Sequence, residues 1–132
     1  MPAIRLETRR IEKPWGRRKL WPGFADVPAD ASPVGEIAFE DPRGREPELL
    51  VKYLFASEKL SVQVHPDDEA AHAAGYSRGK DEAWLVLAAE PHATIGLGMR
   101  EVMSRGELHA AACDGSIEDD LCWRAVKAGD IF

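Results

Sequence analysis

Apolar residues in this chain come in short runs, and Pro or Gly closes or interrupts most of them. The runs over Ile4–Glu7, Val34–Phe39, Leu49–Phe55, Leu60–His65, Glu82–Ala88 and Ala93–Gly98 alternate or are continuously apolar, which predicts strands. Turn formers such as Pro42, Gly44, Pro47, Pro91 and Gly96 bound or break them. Residues 14–33 hold Pro14, Gly16, Pro22, Gly23, Pro28 and Pro33, and predict an irregular wrap. Two segments differ. Asp67–Ala74 has acids in its first turn and Gly75 just past its end, the pattern of a short helix. Met99–Ala112 is also helix-like and stops near Asp114 and Gly115. Ser116 can cap a further turn, with Glu118 and Asp119 inside it, and Leu121–Val126 returns to strand. Many short strands with few helices predict a β-barrel or sandwich.

The bulk numbers exclude several classes. With 132 residues, 45% hydrophobic and 30% charged, the chain reads as one globular domain over 1–132 with one modest core. Net charge is −6 and no basic stripe is present, which argues against nucleic acid as a partner. No apolar run approaches the ~20 residues of a membrane span. The N-terminal stretch lacks an apolar signal region. Cys113 and Cys122 are too few for a disulfide framework and read as reduced thiols. Together these predict a cytoplasmic protein. The last residues run from a Gly129–Asp130 turn into Ile131–Phe132, the first step of an apolar strand. The expectation is therefore a chain that continues.

The run LSVQVHPDD (60–68) carries the chemistry. Side chains alternate across a strand, so Ser61, Gln63 and His65 share one face and Leu60, Val62 and Val64 the other. Gln offers an oxygen and His a nitrogen, and Pro66 ends any ladder immediately after the imidazole. Glu82 opens the run EAWLVLAA and shares a face with Trp84 and Val86. The intervening residues allow an antiparallel return that brings its carboxylate to His65. Such donors suit zinc and do not exclude iron or manganese. Spacing alone equally allows a solvated polar face with a surface acid. His72, His92 and His109, in helix or turn positions, read as surface residues.

Lys52 lies within LLVKYLF, flanked by apolar residues. A buried unpaired ammonium costs several kcal/mol, so it should find a partner or an aqueous cavity. An edge-strand lysine that blocks aggregation is the other reading. Lys80, two residues before Glu82, could point toward the same space. Two lysines near a metal would make a locally positive pocket suited to an anionic substrate.

The blocks KPWG (13–16), LLVKYL (49–54), KLSVQVHPDD (59–68) and GKDEAW (79–84), in this order, resemble the type I mannose-6-phosphate isomerases, most closely their short bacterial form. The resemblance covers nearly the whole chain. It implies a cupin fold, mostly β, a small jelly-roll barrel with short helical insertions. It also implies one Zn²⁺ per site and interconversion of mannose 6-phosphate and fructose 6-phosphate through an enediol. Gln63, His65 and Glu82 match the family's metal ligands. Lys52, Lys80 and Ser61 match its active-site lysines and serine, and Trp15 its N-terminal tryptophan. The family's fourth ligand is a histidine in a PAGTxHA segment after a GDxF turn. Here that turn is Gly129–Phe132, so the fourth ligand and a later arginine have no counterpart. The expectations are the N-terminal portion of a longer enzyme with a barrel incomplete at its C-terminus, a small sugar phosphate as partner, and self-association as one way to complete the fold. The rival readings are an inactive metal- or sugar-binding cupin module and an isomerase of another sugar.

Overall fold

A computed structural model of the chain describes residues 3–45 and 47–132. The chain divides into two compact units, Met1–Ser61 and Val62–Phe132. The described residues are mostly strand and loop with a few short helices, and none of these helices is long and apolar enough to cross a membrane.

The first unit is an antiparallel sheet in the order β1 (Glu7–Arg17), β2 (Val34–Glu40), β3 (Lys52–Leu54). β1 corrects two readings at once. Strand structure starts at Glu7 rather than spanning Ile4–Glu7, and it runs through KPWG, where the sequence predicted irregular chain. Pro14 is tolerated because β1 is an edge strand and its register shifts twice, after Ile11 and after Glu12. Glycine allows the close approach that follows. A Cβ on Gly16 would stand 2.5 Å from the Val34 carbonyl carbon, and one on Gly35 would stand 2.5 Å from Lys13 Cβ and 2.8 Å from the Trp15 ring. Trp15 is thus seated over a glycine of the neighbouring strand. Ser57 binds the Trp15 carbonyl through both its N–H (2.8 Å) and its hydroxyl (3.0 Å).

Val34, Ile37 and Phe55 form the buried core of this unit, with Leu20, Phe24, Val27 and Tyr53 packed on it. Three of these come from the wrap after β1, which explains why a segment so rich in Pro and Gly is ordered. Phe24 meets Tyr53 and Phe55 edge-to-face at 5.1 and 6.1 Å. The Arg18 guanidinium binds the carbonyls of Pro28 and Ala31, and Val27 N–H donates to the Arg18 carbonyl at 2.8 Å. The expected strand Leu49–Phe55 shortens to β3, with Leu49, Leu50 and Val51 exposed.

In the second unit, α1 (Asp68–Ala73) is capped by Asp67, whose carboxylate accepts Ala70 N–H at 2.8 Å. β4 (Thr94–Met99) and β5 (Leu121–Ala125) fall close to the expected strands and pair antiparallel, and Gly96 leaves room for the Leu121 and Trp123 side chains. Residues 84–86 pair with 130–132 through reciprocal bonds between Trp84 and Phe132 at 2.9 and 3.0 Å. The remainder of the expected Glu82–Ala88 strand carries no ladder.

Leu60–His65 is a larger correction, because it joins no strand pair. Its expected buried side is not buried either. Val64 is 90% and Val62 38% exposed. Alternation assigns side chains to two sides of an extended chain, but only a partner strand makes it a sheet.

The expected helix Met99–Ala112 shifts to α2 (Arg105–Asp114) because Ser104 and Glu107 form a reciprocal capping box, a start signal that outranks the apolar pattern before it. Gly115, left-handed at φ 87°, ends it. Ser116 precedes α3 (Ile117–Asp120) with helical backbone angles and makes no side-chain cap, against expectation. Its N–H is taken by the Asp114 carboxylate at 2.9 Å.

Gly16→Ala should destabilise the protein by about 1–3 kcal/mol, as overpacking does, read as a lower urea midpoint at unchanged slope. The Ser104 hydroxyl and backbone N–H hold the Glu107 carboxyl below its usual pKa. That contribution to stability is present above the unfolded-state pKa and disappears as pH falls through the lowered folded-state value. Ser104→Ala should bring the Glu107 carboxyl back toward its ordinary range in an NMR titration and weaken the acid dependence of stability.

Candidate active site

His65 ends an extended segment at Pro66, and Glu82 lies two residues before Trp84, where pairing with residue 132 begins. The chain between them folds into α1 and a short loop, then comes back. Lys80 N–H donates to the Pro66 carbonyl at 3.1 Å. Gly79 permits this contact, since a Cβ there would lie 2.5 Å from the Pro66 oxygen. The return places His65 Nε2 3.2 Å from Glu82 Oε2. Lys80 Nζ stands 3.6 Å from the other carboxylate oxygen.

Both members of the His–Glu pair are partly shielded, with 21% and 30% of their side chains accessible. Burial pushes the Glu82 carboxyl up. It is outweighed by a hydrogen bond from Trp84, one from His65, and the positive charges of Lys80 and His65, so the carboxyl ends below its usual value. Glu82 is therefore an anion across the neutral range. The exposed Lys80 pair itself adds at most about 1 kcal/mol.

Two donors each ~2.0–2.2 Å from a tetrahedral zinc stand about 3.4 Å apart. A 3.2 Å separation of imidazole nitrogen and carboxylate oxygen is close to that edge. The donor set therefore fits a divalent cation. Among the described residues no three His, Cys, Asp or Glu side chains gather. The Gln63 amide is two residues from His65 and exposed.

Lys52, Ser61 and Trp15 lie in the first unit. Lys52 finds its partner in Glu36 on β2, Nζ to Oε2 3.0 Å, with both side chains largely covered. The register explains the pair, because Lys52 lies opposite Ala38, two residues along from Glu36. Ser61 is exposed and Trp15 half-buried. His72, His92 and His109 are exposed, as expected. His72 Nε2 contacts the Ser77 carbonyl at 2.8 Å, and His109 lies against Cys113 on α2.

Sequence reasoning missed the part played by Trp84. Its i+2 spacing from Glu82 put it on the right face, but Trp is ordinarily read as core. It also missed the close backbone passage at Gly79, for which a Gly directly before the Lys was the available sign.

The chain matches no family profile. It is 42% identical over 84 residues to the mannose-6-phosphate isomerase of Streptococcus mutans, covering 64% of this chain and 26% of that protein. It is 36% identical over 96 residues to a probable mannose-6-phosphate isomerase of Bacillus subtilis, covering 71% and 30%. The crystal structure of a mannose 6-phosphate isomerase from Bacillus subtilis superposes with a TM-score of 0.70 at 25% identity, over 98% of this chain and 51% of that one. The mostly β fold with short helices read from the sequence is thus that of a known isomerase. Over the part it covers, the chain is similar to mannose-6-phosphate isomerases. It spans less than a third of the curated relatives it matches and about half of the solved enzyme.

Trp84→Phe should raise the Glu82 carboxyl pKa in the metal-free protein by removing an N–H donor. A carboxyl ¹³C titration checks this, and an unmoved Glu82 signal would show that the indole contributes nothing.

Proposed function

We propose that this protein is a cytoplasmic, zinc-dependent aldose–ketose isomerase that interconverts mannose 6-phosphate and fructose 6-phosphate. The observation that carries the reading is the convergence of His65, Glu82 and Lys80 in a chain related to enzymes of that name. Gln63, His65 and Glu82 would hold one Zn²⁺, which when bound supplies Lewis-acid stabilisation of negative charge on substrate oxygen.

The reaction moves a proton. The opened aldose loses one from C2, passes through an enediol, and regains one at C1, so substrate and product are isomers and nothing is consumed. Charge develops on oxygen as the C–H bond breaks. Lys80 contributes a cation beside Glu82, placed for that charge or for the phosphate. On the resemblance, Lys52 binds phosphate, Ser61 adds a hydrogen bond and Trp15 lines the sugar site. Lys52 enters this role already paired with Glu36 at 3.0 Å, which defines the reach of its ammonium.

A second reading is a metal- or sugar-binding module without turnover. A coupled assay for fructose 6-phosphate separates the two. Turnover of mannose 6-phosphate but not of mannose is expected, lost with chelator and restored by Zn²⁺. His65→Ala and Glu82→Gln should each lower kcat/KM at least about 100-fold, or roughly 2.7 kcal/mol of transition-state stabilisation. Binding without turnover would favour the second reading, and chelator-resistant turnover would remove zinc from the proposal.

A further inference from the structure

Two neighbouring aspartates follow Pro66, and they do different work. The Asp67 carboxylate caps α1 through Ala70 N–H at 2.8 Å. The Asp68 carboxylate turns away from the helix backbone and accepts Gly79 N–H at 2.8 Å, across eleven residues of chain. Gly79 immediately precedes Lys80, whose own N–H binds the Pro66 carbonyl. Two successive amides of the returning chain are therefore fastened to the turn that follows His65, one through a side chain and one through the backbone. There is no slack at this crossing. A Cβ on Gly79 would stand 2.5 Å from the Pro66 oxygen, 2.6 Å from the Asp67 carbonyl carbon and 2.8 Å from the Asp68 nitrogen.

The crossing sits one residue past His65 on one segment and two to three residues before Glu82 on the other. We propose that Asp68 is a positioning residue: its bond to the Gly79 amide sets the distance between His65 and Glu82 and the placement of Lys80. The inference rests on the zinc-isomerase reading for its consequence in function, but the tie itself is a property of the metal-free chain.

Its energetic form follows from the bond type. A carboxylate accepting a backbone N–H is a charge-assisted hydrogen bond. The bond is exposed, so its loss should be felt less in overall stability than in where the returning chain lies. Outer partners that orient metal ligands commonly change metal affinity 10–100-fold when removed. An alternative role exists for Asp68 as a first-turn acid stabilising α1 through the helix dipole. The two roles separate chemically, because an asparagine keeps the acceptor oxygen and loses the charge.

The test compares Asp68→Ala, Asp68→Asn and Asp67→Ala in two measurements. Zn²⁺ binding is measured by calorimetry. In the metal-free protein, the His65 ring ¹⁵N shifts are recorded at one fixed pH, with Glu82→Ala as the reference for a broken contact. The expected result is that Asp68→Ala weakens Zn²⁺ binding by about 10–100-fold and moves the His65 signal toward that of Glu82→Ala. Asp68→Asn should restore most of both. Asp67→Ala should lower the melting temperature and leave the His65 signal in place. Wild-type affinity and an unmoved ring signal in Asp68→Ala would overturn the proposal. So would an Asp68→Asn variant as impaired as Asp68→Ala, which would assign Asp68 to the dipole. If the wild-type protein takes up no Zn²⁺, the isomerase reading falls, and the ring signal still judges the tie.

Discussion

Glu82 is a partly shielded carboxylate, with 30% of its side chain accessible, and the region from His65 to Val86 gathers donors around it. Glu82 is met by the imidazole of His65, the ammonium of Lys80 and the indole of Trp84. Each partner arrives by a different route. Trp84 is held by its pairing with Phe132, Lys80 by its backbone bond to Pro66, and His65 lies directly before that tied proline. Desolvation alone would push such a group toward its neutral form. The surrounding donors reverse the balance and leave a fixed anion facing an imidazole nitrogen. Two donor atoms of this kind at 3.2 Å invite a cation, and the chemistry proposed for the protein grows from that geometry.

The lysines show how the same residue type can be placed by opposite means. Lys52 is largely covered and paired at 3.0 Å across two strands, so its position is fixed by sheet register. Lys80 is half exposed and 3.6 Å from its carboxylate, so its position is fixed by backbone rather than by its ion pair. A loosely held cation can turn to an arriving anion at low cost, whereas a tightly paired one must first give up its partner.

Much of the fold was legible because local signals were strong. The α1 helix is where Asp67 and Gly75 placed it, and the paired strands β4 and β5 fall on their apolar runs. The errors have physical causes. KPWG reads as broken chain, since Pro and Gly are breakers in isolation. It is a strand because an edge position spares Pro14 a ladder bond and Gly16 admits the neighbouring backbone. Leu60–His65 reads as a strand by alternation yet joins no ladder. Met99–Ala112 reads as a helix from its start, but the capping box at Ser104 decides where helical hydrogen bonding begins.

For the site, the residue types and their grouping were present in the sequence. Gln63 and His65 at i, i+2, a Pro directly after them, and a Glu behind a Gly–Lys pair could be read without coordinates, because period-two geometry and ligand chemistry are local matters. Contact between His65 and Glu82 was an expectation that needed the fold. So were the partner of Lys52, the indole bond to Glu82, and the division of labour between Asp67 and Asp68. Most of those depend on which atoms come together across eleven to seventeen residues of chain. Such approaches are set by steric room at Gly79, Gly16 and Gly35 and by strand register, and neither quantity is written in any short stretch of the chain.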